Sequence, residues 1–194
     1  MDKKRSFHGV LSKYLPEEFV SYVVQIIMDS GVRFKIVAPR STKLGDFKVN
    51  SKKNDKPQIT VNGDLNPYAF LITTLHELAH LNTHMKYGNN VSPHGKEWKN
   101  EFALLLDPVL TENFLPNKLK IILTKSIKNL KASSCSDLHL SRELKKYDTS
   151  KNTITLEELE ENSIFELNKK IFSKGYLRRT RYLCKEKDSG KSYL

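Results

Sequence analysis

Cysteine is scarce in this 194-residue chain, which contains only two, Cys135 and Cys184. Two cysteines cannot form a disulfide framework or a zinc site of four thiolates, so we expect both to be reduced thiols. Long apolar runs are also missing, because no stretch approaches the roughly 20 apolar residues that a membrane-spanning helix needs. The charged residues 1–8 lack the apolar core of a secretory signal. We therefore expect a soluble, cytoplasmic protein with no membrane partner.

Acidic residues are outnumbered, with 22 aspartates and glutamates against 33 lysines and arginines. The net charge is +3 over residues 1–115, +6 over 116–151, −5 over 152–167 and +7 over 168–194. Two separate basic blocks are typical of proteins that bind nucleic acid through its phosphates. The alternative interpretation is a lysine-rich surface that is only solvated.

The first half of the chain mixes helix and strand patterns. Apolar spacing predicts a helix that begins after Pro16 and ends near Gly31. Three short strands predict a small antiparallel sheet, namely Arg33–Ala38, Leu44–Val49 and Gln58–Val61. Asn66 and Pro67 provide an N-cap and a first-turn proline for a helix that extends to about Lys86.

The second half begins with helical patterns and ends with strands. Apolar spacing predicts a helix over residues 95–106 that ends at Asp107-Pro108. It also predicts a further amphipathic helix over residues 119–130. The polar stretch Ser133–Ser150 is predicted to be a linker. The strands predicted after it are Ile164–Leu167, Lys170–Phe172, Leu177–Lys185 and Ser192–Leu194, with one of the turns at Lys174-Gly175. The fold class is therefore α+β, organised as a domain over residues 1–115, a basic helix and linker over 116–150, and a small basic β module over 151–194.

The sequence His76-Glu77-Leu78-Ala79-His80 lies in the middle of the helix predicted to follow Asn66. Side chains four positions apart share one helix face, so both imidazoles can reach one metal ion. Neutral imidazole suits zinc, and Glu77 can take a proton from a water bound to that zinc. A short motif of this kind also occurs by chance on solvated helices, but here apolar residues surround it.

A catalytic zinc site needs a third protein ligand. His84 is excluded, because it lies about 12 Å along the helix from His76. His94 follows an intervening loop that can return the chain to the metal. Glu97 and Glu101 on the next predicted helix are the alternatives, and the ligand preferences of zinc favour His94.

Two motifs together, His76–His80 and His94-Gly95-Lys96-Glu97-Trp98, resemble the SprT-like metallopeptidases, the family that includes the Spartan proteases. The signature of that family is an HExxH helix followed by a histidine-glycine pair and an aromatic residue, which is Trp98 here. The strand Ile59–Val61, followed by Asn66-Pro67, is similar to the lead-in to the family's active-site helix. The resemblance covers roughly residues 10–115.

The resemblance implies that His76, His80 and His94 bind one zinc ion per chain and that Glu77 is the catalytic general base. It also implies a zincin-like domain, in which a small sheet lies beside the active-site helix. Spartan-type members cleave proteins on DNA, including DNA–protein crosslinks, so protein substrates and DNA are the implied partners. Many members end in a zinc ribbon with paired cysteines, whereas this β module has only Cys184 and is expected to be held by packing.

Nucleic-acid contacts are predicted in the basic tail. The residues concerned are Arg178, Arg179, Arg181, Tyr182 and Lys185. Guanidinium groups pair with phosphates, and aromatic faces stack on unpaired bases. Within a single strand, Arg179 and Arg181 would share one face, while Arg178 and Tyr182 would share the other. The alternative interpretation is that these arginines are the solvated edge of a small core.

Two functions follow from these patterns. The leading hypothesis is a zinc-dependent endopeptidase that acts on proteins associated with DNA. The alternative is a nucleic-acid-binding protein whose zinc site is structural or inactive. Glu77 favours the enzyme, because a purely structural site has no need for this carboxylate.

Overall fold

A computed structural model describes residues 3–49, 56–128, 138–149 and 154–194. In these ranges the fold is α+β, with six helices and seven strands in two small sheets. The helices are α1 Lys3–Leu11, α2 Glu17–Ser30, α3 Pro67–Tyr87, α4 Lys96–Thr111, α5 Asn117–Lys128 and α6 Leu138–Lys145. The strands are β1 Arg33–Val37, β2 Gly45–Lys48, β3 Gln58–Asn62, β4 Ile164–Leu167, β5 Lys170–Arg178, β6 Arg181–Glu186 and β7 Ser192–Tyr193. The chain divides into two compact units, Met1–Thr149 and Ser150–Leu194, and none of the described helices is long and apolar enough to cross a membrane.

The first sheet has the strand order β1-β3-β2. The prediction of an antiparallel sheet is correct for β2 and β3 but wrong for β1, which runs parallel to β3. The spacing of three strand patterns along a sequence does not reveal that the third strand inserts between the first two. Because β3 is paired on both sides, β1 and β2 are the two edges of the sheet. One of these edges, β2, lies against α3.

Helix α3 is buried over most of its surface, which is typical of a helix at the centre of a core. Its predicted N-cap is confirmed, since the side-chain oxygen of Asn66 accepts a hydrogen bond from the Ala69 backbone N–H at 2.9 Å. The amide of the same side chain donates to the Leu144 carbonyl at 2.9 Å. Asn66 therefore fixes the start of α3 and also ties it to the end of α6.

Helix α4 continues through Pro108, so the predicted break at Asp107-Pro108 is wrong. Proline removes one backbone donor from a helix interior and usually kinks or ends the helix. Here Leu106 and Val109, on either side of the proline, are both completely buried. Their burial holds the helix together across the missing hydrogen bond.

The linker predicted over Ser133–Ser150 is wrong for residues 138–145, which form α6; residues 133–137 and 150 lie outside the described residues. Leu140 on α6 is 1% exposed and packs in the core of the first unit. The helix went unrecognised because its apolar stripe is narrow, while most of its residues are polar. The helix predicted over 119–130 is confirmed as α5 as far as Lys128.

The second unit contains an antiparallel sheet with strand order β4-β5-β6-β7. Its small core is aromatic, with the Phe172 ring 5.6 Å from that of Phe165 and 5.8 Å from that of Tyr193, measured between ring centroids. The predicted turn at Lys174-Gly175 is wrong, because β5 runs through it with an irregular register against β6. A Cβ atom at Gly175 would lie 2.3 Å from the Leu183 carbonyl oxygen, so glycine here permits a close approach of strands.

A buried carboxylate lies in the sheet of the second unit. The Glu186 side chain is 5% exposed and accepts from the Lys170 ammonium at 2.7 Å and from the Tyr193 hydroxyl at 3.0 Å. Hydrogen bonds from Lys170 and Ser189 lower the pKa of Glu186 to about 2. Among the described residues of this unit, packing and this polar network hold the strands together.

Acid should therefore weaken the second unit through Glu186. A carboxylate whose pKa is lower in the folded state stabilises the fold above its unfolded pKa of about 4.3, and this stabilisation is lost as the pH falls toward the folded value. We expect the NMR signals of β5 and β6 in the full chain to lose their folded dispersion between about pH 4.3 and pH 2. Glu186→Gln should weaken this pH dependence. The exposed Glu166→Gln on β4 should leave it unchanged, and identical profiles for the two variants would contradict the prediction.

Candidate metal centre

Three imidazoles converge in the first unit. His76 and His80 lie one turn apart on α3, and His94 comes from the loop before α4. Their Nε2 atoms are separated by 3.1 Å, 3.0 Å and 3.1 Å in the three pairs. Among the described residues, these three histidines form the group of potential ligands that lie close enough together to hold one metal ion.

The spacing of these nitrogens fits a bound metal ion. Ligand nitrogens at 2.0–2.1 Å from a tetrahedral zinc lie about 3.4 Å from one another, slightly more than the distances seen here. Each Nε2 of a neutral imidazole carries either an N–H or a lone pair, so at least two of the three carry the same and face each other unfavourably unless a cation lies between them. The three imidazoles are therefore a donor set suited to a metal ion.

The backbone at His94 explains how this ligand reaches the other two. His94 has φ 58, a left-handed conformation that is uncommon for a residue with a side chain. Gly95 follows it, and a Cβ atom there would lie 2.8 Å from the Ser92 carbonyl oxygen. The histidine-glycine pair thus lets the chain turn sharply into α4 while the imidazole points back at α3.

Burial keeps the imidazoles in the form that binds metals. It lowers the pKa of His76 to about 3, with further contributions from His80 and His94. It also lowers the pKa of His80 to about 4, with His94 as the second cause. The pKa of His94 is lowered by burial and then by the Lys99 charge. All three rings are therefore neutral near pH 7 and can donate a lone pair.

An aromatic platform supports all three ligands. The Trp98 ring, 1% exposed, has its centroid 4.7 Å from that of His76, 5.3 Å from His80 and 4.6 Å from His94. Phe102 stacks on the tryptophan with 5.0 Å between the ring centroids, and its ring lies 5.9 Å from that of His76. Sequence reasoning identified Trp98 but missed Phe102, although its position one helical turn later was a usable signal.

The two alternative ligands, Glu97 and Glu101, and the excluded His84 do not join the group. The Glu101 carboxylate is 6% exposed and pairs with the Lys86 ammonium at 2.6 Å. The His84 ring lies beside Phe47, with 5.9 Å between the ring centroids. Glu97 is half-buried, close to where a Cβ atom at Gly95 would be. The structure thus brings together the three histidines and none of these side chains.

Glu77 is buried between α3 and β2. Its carboxylate accepts a hydrogen bond from the Phe47 backbone N–H, while burial, and then the charge of Asp46, raise its pKa to about 7. A Cβ atom at Gly45 would lie 2.6 Å from Glu77 Oε1 and 2.7 Å from Thr73 Cγ2. Gly45 therefore lets β2 approach the carboxylate, a role that sequence reasoning missed. A glycine inside a predicted strand was the available signal.

A cleft of about 530 Å³ opens onto these groups. Its lining consists of residues 41–47 together with His76, Glu77, His80 and His94. Asn62 holds the loop before β2 in place, because its amide donates to the Arg40 carbonyl at 3.1 Å and to the Lys43 carbonyl at 3.0 Å. In return, the Arg40 guanidinium donates to the Asn62 side-chain oxygen at 2.8 Å. One wall of the cleft is thus anchored to the central strand β3.

The predicted nucleic-acid residues lie in the second unit. Arg178 and Arg181 face each other across a two-residue turn, in which Arg179 has φ 59. The predicted sharing of strand faces is therefore wrong, since the chain reverses at Arg179-Thr180. All three arginines are exposed, and so is Lys185. Tyr182 is half-buried, with the Lys174 ammonium 4.1 Å from its ring centroid.

No protein-family model, curated protein or solved structure matches this chain. The resemblance to SprT-like metallopeptidases therefore depends on the two motifs, His76–His80 and His94–Trp98, and stays a prediction.

Proposed function

We propose that this chain is a zinc-dependent endopeptidase of the SprT-like type. The observation that carries the proposal is a group of three histidines open to a cleft whose wall contains Glu77. Structural zinc sites are closed by four protein ligands, whereas catalytic sites have three and an open position. In the part of the chain that the structure describes, no fourth potential ligand joins His76, His80 and His94.

Each residue of the site has a role in peptide hydrolysis. A zinc ion held by His76, His80 and His94 would supply a Lewis acid and a bound water of lowered pKa. Glu77 accepts a proton from the attacking water and delivers it to the amide nitrogen that leaves. The Phe47 backbone N–H and the close approach at Gly45 hold this carboxylate in position.

The shape of the cleft supports a polypeptide substrate. Strand β2 lines the cleft and is an edge of its sheet, so one side of it lacks a neighbouring strand. An extended peptide can add to the part of this edge that Glu77 does not occupy, through main-chain hydrogen bonds that do not depend on its sequence. This mode of binding places a peptide bond beside the three histidines and Glu77.

Protein cleavage by the zinc-loaded chain tests the proposal. The full chain, containing one zinc ion, is incubated with denatured casein and with histones, and new peptide termini are identified by mass spectrometry. We expect cleavage that stops when the zinc is chelated and returns when zinc is added back. Intact substrates in the presence of the zinc-loaded chain would contradict the proposal and favour the alternative of a nucleic-acid-binding protein.

A DNA-associated role is supported by the turn between β5 and β6. Arg178 lies directly opposite Arg181, and like charges in such a pair are destabilising. A phosphate backbone would relieve this repulsion, because guanidinium groups bind phosphate oxygens with bidentate geometry. We therefore extend the proposal to substrates that are proteins bound to DNA, with the exposed arginines at this turn contacting the phosphates.

Salt dependence tests this contact. Replacing Arg178, Arg179 and Arg181 together with glutamine should flatten the log–log dependence of DNA affinity on salt by up to about 2–3 units. Fluorescence polarisation of a labelled duplex, titrated at several salt concentrations, measures the slope. The matched control replaces the exposed Lys169, Lys187 and Lys191, which removes the same charge away from the turn. Equal slopes for the two triple variants would contradict the assignment.

A further inference from the structure

A second cavity lies beside the metal cleft, within the first unit. Its volume is about 210 Å³, and Leu44 lines both this cavity and the cleft. The apolar lining consists of Leu44, Leu65, Ala69, Ile72, Leu140 and Leu144. These side chains come from the loop before β2, from the turn before α3, from the beginning of α3 and from α6, so two of the elements that line the cleft, the loop before β2 and α3, also line the cavity.

The size and lining of this cavity suit one large apolar side chain. Pockets for whole small-molecule ligands begin at about 300 Å³, and an apolar cavity of about 150 Å³ is enough for a benzene ring. Of the polar lining residues, Ser141, Lys145 and Asp148 are exposed, while Asn66 and Thr73 are buried. A mostly apolar lining with exposed polar residues on one side is the arrangement expected where a side chain enters and its backbone stays outside.

The position of the cavity relates it to the bond that would be cleaved. Thr73 lines the cavity, and Glu77, one helical turn later on α3, lines the cleft. One turn advances about 5.4 Å, whereas an extended peptide advances about 3.3 Å per residue. Because Gly45 packs directly against Thr73 and Glu77, the peptide would lie outside this contact and pass Leu44, which brings a side chain to the cavity within two residues of the bond at Glu77.

We propose that this cavity is a specificity pocket, which receives a leucine, phenylalanine or similar apolar side chain of the substrate polypeptide. The side chain belongs to one fixed position within two residues of the cleaved bond. This inference rests on the proposed endopeptidase function and adds a substrate preference to it. Burying a leucine or phenylalanine side chain in an apolar pocket removes more apolar surface from water than burying an alanine side chain does. The pocket therefore favours large apolar residues.

Cleavage-site profiling tests the preference. The zinc-loaded full chain is incubated with a denatured protein mixture, and the residues flanking each new terminus are counted. We expect one position within two residues of the bond to be enriched in large apolar residues. Ser141→Trp fills the cavity from its exposed side and should abolish this enrichment. The smaller side chain of Ser141→Leu should reduce the enrichment in part. Ser21→Trp, at an exposed site on α2 outside the cavity, should leave the enrichment unchanged.

Binding without turnover provides a second readout. Peptides copied from the cleavage sites are titrated against the Glu77→Gln chain, in pairs that differ only by leucine or alanine at the enriched position. We expect the alanine peptide to bind about 10- to 100-fold more weakly, and the difference to disappear when Ser141→Trp is added. Cleavage without an enriched position, or equal binding of both peptides, would contradict the proposed specificity pocket but not the proposed endopeptidase function. Absence of any cleavage would overturn both.

Discussion

Glu77→Gln should lower the rate of peptide hydrolysis by about 10²–10⁴-fold, the usual contribution of a general base, while zinc content stays at one ion per chain. Glutamine matches glutamate in size, and its side-chain oxygen can still accept the hydrogen bond from the Phe47 backbone N–H. It cannot accept a proton from water at neutral pH. Casein hydrolysis and metal analysis of the same purified sample measure the two quantities together.

A neighbouring carboxylate provides the control for this experiment. Glu97 lies in the first turn of α4, close to the histidine-glycine turn, but outside both the three-histidine group and the lining of the cleft. Glu97→Gln removes the same charge and should leave hydrolysis nearly unchanged. A Glu77→Gln chain that cleaves casein as fast as the unmodified protein would show that Glu77 is not the base.

Removing a ligand should have the second large effect. His94→Ala leaves two imidazoles and should weaken zinc binding by more than the roughly 10- to 100-fold that is typical of losing a residue that only supports a ligand. His84→Ala should change the affinity little, because the His84 ring packs beside Phe47 and does not belong to the group. Competition with a chromophoric chelator measures both affinities.

The comparison between the two alanine variants is the decisive measurement, since both remove one histidine from the same region. Far-UV circular dichroism of each variant shows whether the fold is retained. Equal losses of affinity, or a larger loss for His84→Ala, would overturn the assignment of His94 as the third ligand.

Much of the candidate metal centre could be predicted from the sequence because its determinants are local. The N-cap at Asn66 and the four-residue spacing of His76 and His80 depend only on helix geometry. His94 was favoured because zinc prefers imidazole and because the loop is long enough to return. These features need no knowledge of the rest of the fold, and the structure places all three side chains together.

The features that could not be predicted depend on contacts between distant parts of the chain. Gly45 matters because it lies against Glu77, which is far from it in sequence. Helix α4 continues through Pro108 because the residues around the proline are buried by other elements. The pairing of β1 with β3 likewise depends on tertiary contacts, because the spacing of the strands along the chain fits either strand order in the sheet.

The contact between the tryptophan and the three histidines has a practical consequence. Trp98 is the one tryptophan of the chain, and its ring lies about as close to each imidazole as aromatic side chains pack. A divalent charge arriving among those imidazoles changes the electric field at the indole, and so does protonation of any of the rings. At constant pH, the tryptophan emission of the unlabelled protein therefore reports on the occupancy of the site, and the kinetics of metal uptake can be followed in the native chain without a dye.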